Sequence, residues 1–399
     1  MWSALFFWSM VATAQANGQT THLWITWEAV ELLPEGDLKT LLSDESNHAM
    51  LGNGTMFPDG GYAVDHDYGE TAHWEPFQSR FAEWILETFD GAFDGEAAPY
   101  WAFYFGMTSH GMADEFFDSL YMERSKVYDA DAWSDGQTLD VSSDFVWASL
   151  TGAQTPPELW IPDSLAQLFA DHGVDVDRET LESGQTMLAA AIDLVGLAGS
   201  DPAYAETHAS IFPWACSHLD SETVPGAPLH EATVVALYWE ALWAQWHGDP
   251  DLRVIATVPD DGSLAHSDAA EDVESRVSVV FSRGMTDDAS IQEELSITSN
   301  EGTHHFEADL FYGQSSHVVN LHATEGWAPD AEHVVKLSAE ITSSDGAALG
   351  GERSFTFSTA EELVTESTCG CHLVGVGTSS FLWAFGCLGL SWRRRCRIE

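Results

Sequence analysis

In the stretch FYFGMTSHGMADEFFDSL, residues 103–120, three side chains with ligand chemistry, His110, Asp114 and Asp118, stand four residues apart in an apolar, aromatic run. At about 100° of rotation per residue, helix positions i, i+4 and i+8 lie nearly above one another, so these three are expected to point at one place. The same residue types recur elsewhere: His22 in TTHLWITWEAVELL, Asp59 in GNGTMFPDGGY, His73 in GETAHWEPF, and Asp140 and Asp144, again four apart, in TLDVSSDFVW. The glycines and proline around Asp59 predict a loop whose backbone holds the carboxylate. A buried carboxylate without a partner is strongly destabilising, and a cation is the usual remedy. Imidazole with carboxylate, and no thiolate, is the donor set of catalytic divalent-metal centres rather than of closed structural zinc sites.

Two kinds of element must position these residues. Residues 22–248 are rich in Trp, Phe and Leu at i, i+3/i+4 spacing, as in HLWITWEAVELL, FQSRFAEWILETF, TLESGQTMLAAAIDLVGL and EATVVALYWEALWAQW, which predicts amphipathic helices. After Pro250 the pattern changes to short alternating runs, among them SRVSVVFS, HFEADLFYG, SHVVNLHA and RSFTFST, separated by Asp, Gly and Ser turns. That pattern predicts strands. The expected fold is multidomain: an all-α domain over 17–250, then an all-β sandwich over 251–360. The sandwich resembles bacterial Ig-like domains in its VPDDGS turn, VVFSRGM strand and closing FTFST, and the resemblance implies a spacer or adhesion module without chemistry of its own.

Both ends read as processing signals. MWSALFFWSMVATAQANGQ has an apolar core and an Ala14-Gln15-Ala16 site, so residues 1–16 are expected to be a signal peptide cleaved before Asn17. Residues 361–368 read as a linker. Residues 369–399 join Cys-Gly-Cys to a mostly apolar run and an arginine cluster, long enough to span a bilayer with the arginines inside. This tail resembles the C-terminal sorting tails of myxobacterial surface proteins, implying a protein that is exported and anchored at the cell surface or outer membrane. Four of the five cysteines belong to the tail, leaving Cys216 alone in the body, where no disulfide can form.

The 399 residues are 45% hydrophobic, enough for two packed cores, and carry 14 basic against 64 acidic groups, a formal charge of −50. Four of those basic groups, Arg393, Arg394, Arg395 and Arg397, sit in the tail. So acidic a body repels nucleic acid, which is bound by releasing counterions from Lys and Arg contacts.

The order and context of TTHLWITWEAVELL, GTMFPDGGY, HDYGETAHWEPF and WAFYFGMTSHGMADEFFDSL resemble the N-terminal catalytic domain of the GPI-specific phospholipases D, which belong with the bacterial zinc-dependent phospholipases C. The resemblance implies an all-helical fold binding up to three divalent metals. It implies that Asp59, His73, His110 and Asp114 hold the first, with Asp114 bridging to another served by His22, and that Asp59 also orients the attacking water or acts as base. It departs at the remaining site, where Asp118, Asp140 and Asp144 would supply carboxylates only. Such a site prefers Mn, Mg or Ca over the zinc expected at the histidines. The implied substrate is a phospholipid or a GPI-like lipid. Rival readings are a single-strand-specific nuclease of the same fold, disfavoured by the charge, and a surface adhesin whose catalysis has decayed.

Overall fold

The computed structural model describes residues 17–359 except 266, 268, 271, 286, 287, 313 and 314. The expected signal peptide, linker and sorting tail lie outside the described residues. The chain divides into two units, 1–362 and 363–399, and everything below concerns the first.

Its first part is helical: α1 (Gln19–Leu32), α2 (Asp37–Ser43), α3 (His48–Ala63), α4 (Tyr68–His73), α5 (Glu75–Thr88), α6 (Ala98–Phe116), α7 (Glu123–Tyr128), α8 (Ala130–Ser134), α9 (Leu139–Thr151), α10 (Leu165–Asp171), α11 (Arg178–Gly199), α12 (Pro202–Ala209), α13 (Pro213–His218) and α14 (Pro228–Trp246). The amphipathic stretches named above form α1, α5, α11 and α14. The apolar stripes of α1, α5 and α14 converge on α6, whose residues from Trp101 to Phe116 are all buried, while α11 packs on α3 and α9. Phe57, Phe81, Phe103, Phe105 and Trp239 pack in one core around it, each phenylalanine contributing roughly 1.5–3 kcal/mol by leaving water.

The Gly/Pro-rich stretch around Asp59 is not a loop. It is the C-terminal half of α3, with Pro58 inside the helix. Packing overrides local propensity here: α3 and α6 touch backbone to backbone through Gly54 and Gly106. A Cβ on Gly54 would lie 2.0 Å from the Phe103 carbonyl oxygen, and one on Gly106 would lie 2.1 Å from that of Leu51. Glycine is the residue that permits the approach.

A second departure concerns Asp118. The α6 ladder widens into a π-helical segment, Phe117–Met122, before α7. Asp118 is therefore carried by a π-turn and not by a continuous α-helix.

The second part is a β-sandwich of β1 (Val254–Val258), β2 (Ser263–Ala265), β3 (Val277–Met285), β4 (Leu295–Ser299), β5 (Gly302–His304), β6 (Phe306–Leu310), β7 (Ser316–Ala323), β8 (Glu332–Leu337) and β9 (Arg353–Thr359). The sheets run β1-β3-β7-β6 and β2-β9-β8-β4-β5, and Val279, Phe281, Ile297, Val319, Leu321, Val335 and Phe357 fill the space between them. Val258, Val280 and Val318 instead join the helical core. The first sheet thus buries both its faces, and every residue of β3 is buried, Ser278, Ser282 and Arg283 included. Cys216, the one cysteine among the described residues, is free and buried. Among the described residues no helix is long and apolar enough to cross a membrane.

Candidate metal centre

The N-terminus of α1 is built on a carboxylate. Asp144, from α9, accepts hydrogen bonds from the backbone N–H of Thr20 (3.3 Å) and Thr21 (2.8 Å) and from both threonine hydroxyls. These are the unpaired donors at a helix start, where the dipole also favours a negative charge. Gly18 makes room: a Cβ there would fall 2.2 Å from Asp144 Cγ. The result fixes the turn that carries Gln19 and His22.

Four elements then bring five side chains together. His22 comes from α1, Asp59 from α3, His73 from the last residue of α4, and His110 and Asp114 from successive turns of α6, all buried. His22 Nε2 lies 2.8 Å from Asp114 Oδ1. His110 Nε2 lies 3.1 Å from Asp114 Oδ2 and 3.6 Å from Asp59 Oδ1. His73 Nε2 is 3.4 Å from each of the same two carboxylate oxygens and 3.0 Å from His110 Nε2. The rings of His22 and His110 stack at 3.9 Å.

Close as they are, His22 Nε2, Asp59 Oδ1 and Asp114 Oδ1 make no hydrogen bond of acceptable geometry, and both ring nitrogens of His22 are buried without one. Buried polar atoms are nearly always paired. Lone pairs that converge without pairing are what a cation requires, so the donor set fits a divalent metal. Two groups of donors, His22/Asp59/His110 and His73/His110/Asp114, each lie with their atoms within 4.8 Å of one another. The second contacts are in place as well. The His73 Nδ1–H donates to the Gly69 carbonyl at 2.6 Å, which leaves the Nε2 lone pair as the ligand. Gln19 Nε2 donates to Asp59 Oδ2, leaving Oδ1 toward the histidines.

Electrostatics agree with this arrangement. Burial pulls the imidazole of His110 down, but Asp114 and Asp59 outweigh it and raise the group to about 10. His73 behaves alike, its burial offset by hydrogen bonds to Asp114 and Asp59, and rises to about 9. Burial pushes Asp59 and Asp114 up, yet His110 with its fellow imidazoles holds both well below the usual carboxylate range. Without metal, protons take the place of the cation.

Asp118, Asp140 and Asp144 are members of neither donor group. The oxygens of Asp144 are engaged by Thr20 and Thr21, as described. Asp140 is partly exposed and close enough to Asp118 to raise its pKa; burial and Asp114 raise it more. Asp118 accepts a 2.6 Å hydrogen bond at Oδ2 from the hydroxyl of Tyr312, between β6 and β7.

The sequence reading did not name Gln19, Glu231 or Tyr312. Glu231, on α14, is fully buried; one oxygen accepts from Asn17 Nδ2 at 2.7 Å and the other is unpaired. Neither Glu231, one of two acids in the apolar run of α14, nor Tyr312, 194 residues from Asp118, gave a signal. Nor is the sandwich a detached spacer. The backbone N–H groups of His317 and Val318 donate to the buried carboxylate of Glu115 at 3.0 and 2.7 Å, and Gly284 N–H donates to Glu75 at 2.6 Å.

The class these features define is a helical domain with a buried His/Asp cluster, docked on an Ig-like sandwich. Residues 249–359 match the family described as bacterial Ig-like domain. The chain is also similar to phosphatidylinositol-glycan-specific phospholipase D of Rattus norvegicus (29% identity over 136 residues) and of Bos taurus (30% over 140 residues). Each alignment covers 31% of this chain and 16% of the relative, so the chain spans a small part of those enzymes. Among solved structures, the S-layer protein rSbsC(31-844) aligns over 81% of this chain and 46% of its own at 9% identity, with a TM-score of 0.22, too low to bear on the fold.

Proposed function

We propose that this protein is an exported metal-dependent phosphodiesterase acting on phospholipids or GPI-like lipids, anchored at the cell surface by its C-terminal tail. The observation that carries the reading is the convergence of buried nitrogen and oxygen atoms of His22, Asp59, His73, His110 and Asp114, among which both ring nitrogens of His22, Asp59 Oδ1 and Asp114 Oδ1 have no hydrogen-bond partner. The likeness to phosphatidylinositol-glycan-specific phospholipases D points to the substrate class.

His73, His110, Asp59 and Asp114 would hold one divalent ion, zinc by the imidazole content, and His22 with Asp114 a second. Asp118, with Asp140, would serve a harder ion. Bound there, the metals would lower the pKa of a water and draw charge from the phosphoryl oxygens. Asp59 is the residue to orient that water: Gln19 fixes its outer oxygen and the inner one faces His73 and His110. Gly69 holds His73 in one tautomer. Trp74 and Tyr62, both partly exposed, flank His73 at ring-centroid distances of 6.0 and 5.2 Å and form an apolar rim that a lipid can meet.

The test is product analysis by mass spectrometry on a panel of mixed phospholipids, a GPI-anchored substrate and single-stranded oligonucleotides, before and after chelation. Lipid cleavage lost to chelation and restored by zinc, better by zinc with Mn or Ca, is expected. Cleavage of the oligonucleotide alone, or metal-independent cleavage, would overturn the reading.

A further inference from the structure

We infer that the Ig-like domain is a working part of the site and that Tyr312 is its positioning residue, holding one oxygen of Asp118 so that the other is free for a cation. The inference rests on the proposed metal-dependent function and extends it to a residue outside the helical domain.

The geometry has three parts. First, Asp118 is buried, its Oδ2 is engaged by the Tyr312 hydroxyl at 2.6 Å, and its Oδ1 is buried with no hydrogen-bond partner. A half-satisfied buried carboxylate is costly to keep, and a tyrosine that served only to fill space would not need to bind one. Second, the ring of Tyr312 packs on Trp74 at 4.5 Å between centroids, and Trp74 directly follows His73. The tyrosine therefore spans from the Asp118 side of the cluster to the His73 side.

Third, the strand that follows Tyr312 is docked on α6. Ser316, His317 and Val318, just downstream on β7, all donate to Glu115, the neighbour of Asp114. Arg276 Nη1 donates to the Ser119 carbonyl, the neighbour of Asp118, at 3.0 Å. The sandwich thus grips α6 and the π-segment on either side of Asp118. Outer contacts that hold a ligating carboxylate typically govern metal affinity by ten- to a hundredfold.

The experiment titrates the metal-stripped full-length chain with Zn²⁺ and with Co²⁺, reading stoichiometry, affinity and the Co²⁺ absorption spectrum. Tyr312→Phe keeps the ring on Trp74 and removes only the hydroxyl. It is expected to weaken the last-bound equivalent by roughly ten- to a hundredfold, leaving the earlier equivalents unchanged. Asp118→Asn, which takes the charge from the proposed ligand itself, should lose at least as much, and the double variant no more than Asp118→Asn alone. Unaltered affinity in whichever variant folds, or losses that add in the double variant, would overturn the inference while the phosphodiesterase reading stands. A wild-type chain that takes up no metal would overturn that reading, and the role of Tyr312 with it.

Discussion

At the scale of the residue, protons and metal compete for the same nitrogens. In the metal-free chain His73 and His110 are raised from an ordinary 6.5 to about 9 and about 10 by Asp59 and Asp114. A group raised on folding contributes stability that is fully present below its unfolded pKa and lost as pH climbs through the folded one. The metal-free protein should therefore lose thermal stability progressively from about pH 6.5 to 10, and zinc should remove most of that slope. Melting curves across this range check it; a flat profile without metal would refute the assignment. Asp114→Asn removes the carboxylate that faces all three imidazoles, and should abolish metal loading and hydrolysis together. Full metal content in that variant would dismiss the cluster. The chemistry of His110 and Asp114 was legible in the sequence because a four-residue step puts two side chains on one face of an α-helix. The π-turn that carries Asp118 was not legible, since nothing in EFFDSLYM announces it.

The element scale is governed by the seam between α3 and α6, which delivers Asp59 against His110. Gly106→Ala would set a methyl 2.1 Å from the Leu51 carbonyl oxygen and 2.6 Å from Thr55 N, both backbone atoms that have no rotamer to change. Overpacking of this kind costs at least about 1–3 kcal/mol. Because separation of the helices also draws Asp59 away from His110, the variant should lose zinc affinity beyond what its lowered stability explains, as chemical denaturation combined with metal titration will measure. The helices themselves were readable from the 3.6-residue apolar period. The glycine seam was not, since GNGTMFPDGGY carries every mark of a turn until a second helix arrives to pack on it.

The whole molecule sets how the helical body is displayed. Glu75, Glu115, Asp118 and Ser119 of the helical part all bind groups of the sandwich, so helices and strands form one body. If residues 369–399 act as an anchor, ending the chain after Ser367 should release a soluble protein with unchanged metal content and activity. Fractionation of cells expressing both lengths decides it: full-length protein found in the cytoplasm with residues 1–16 still attached would contradict export and anchoring. The strong negative charge of the chain should keep the released form monodisperse at low salt.

By itself the sequence determined what local periodicity and residue chemistry encode: a helical body, an alternating β part after Pro250, and histidines and aspartates with no thiolate among them. Those properties depend on neighbours within a few positions, so they can be read without a fold. Tertiary structure alone decided that Asp59 lies on a helix, that Asp144 anchors the first turn of α1, that Gln19 and Glu231 join the buried polar set, and that a tyrosine of the sandwich reaches Asp118. Each of these contacts joins residues that are distant in the chain. Such pairings are paid for by the burial of a whole core, and no short stretch of sequence carries that free energy.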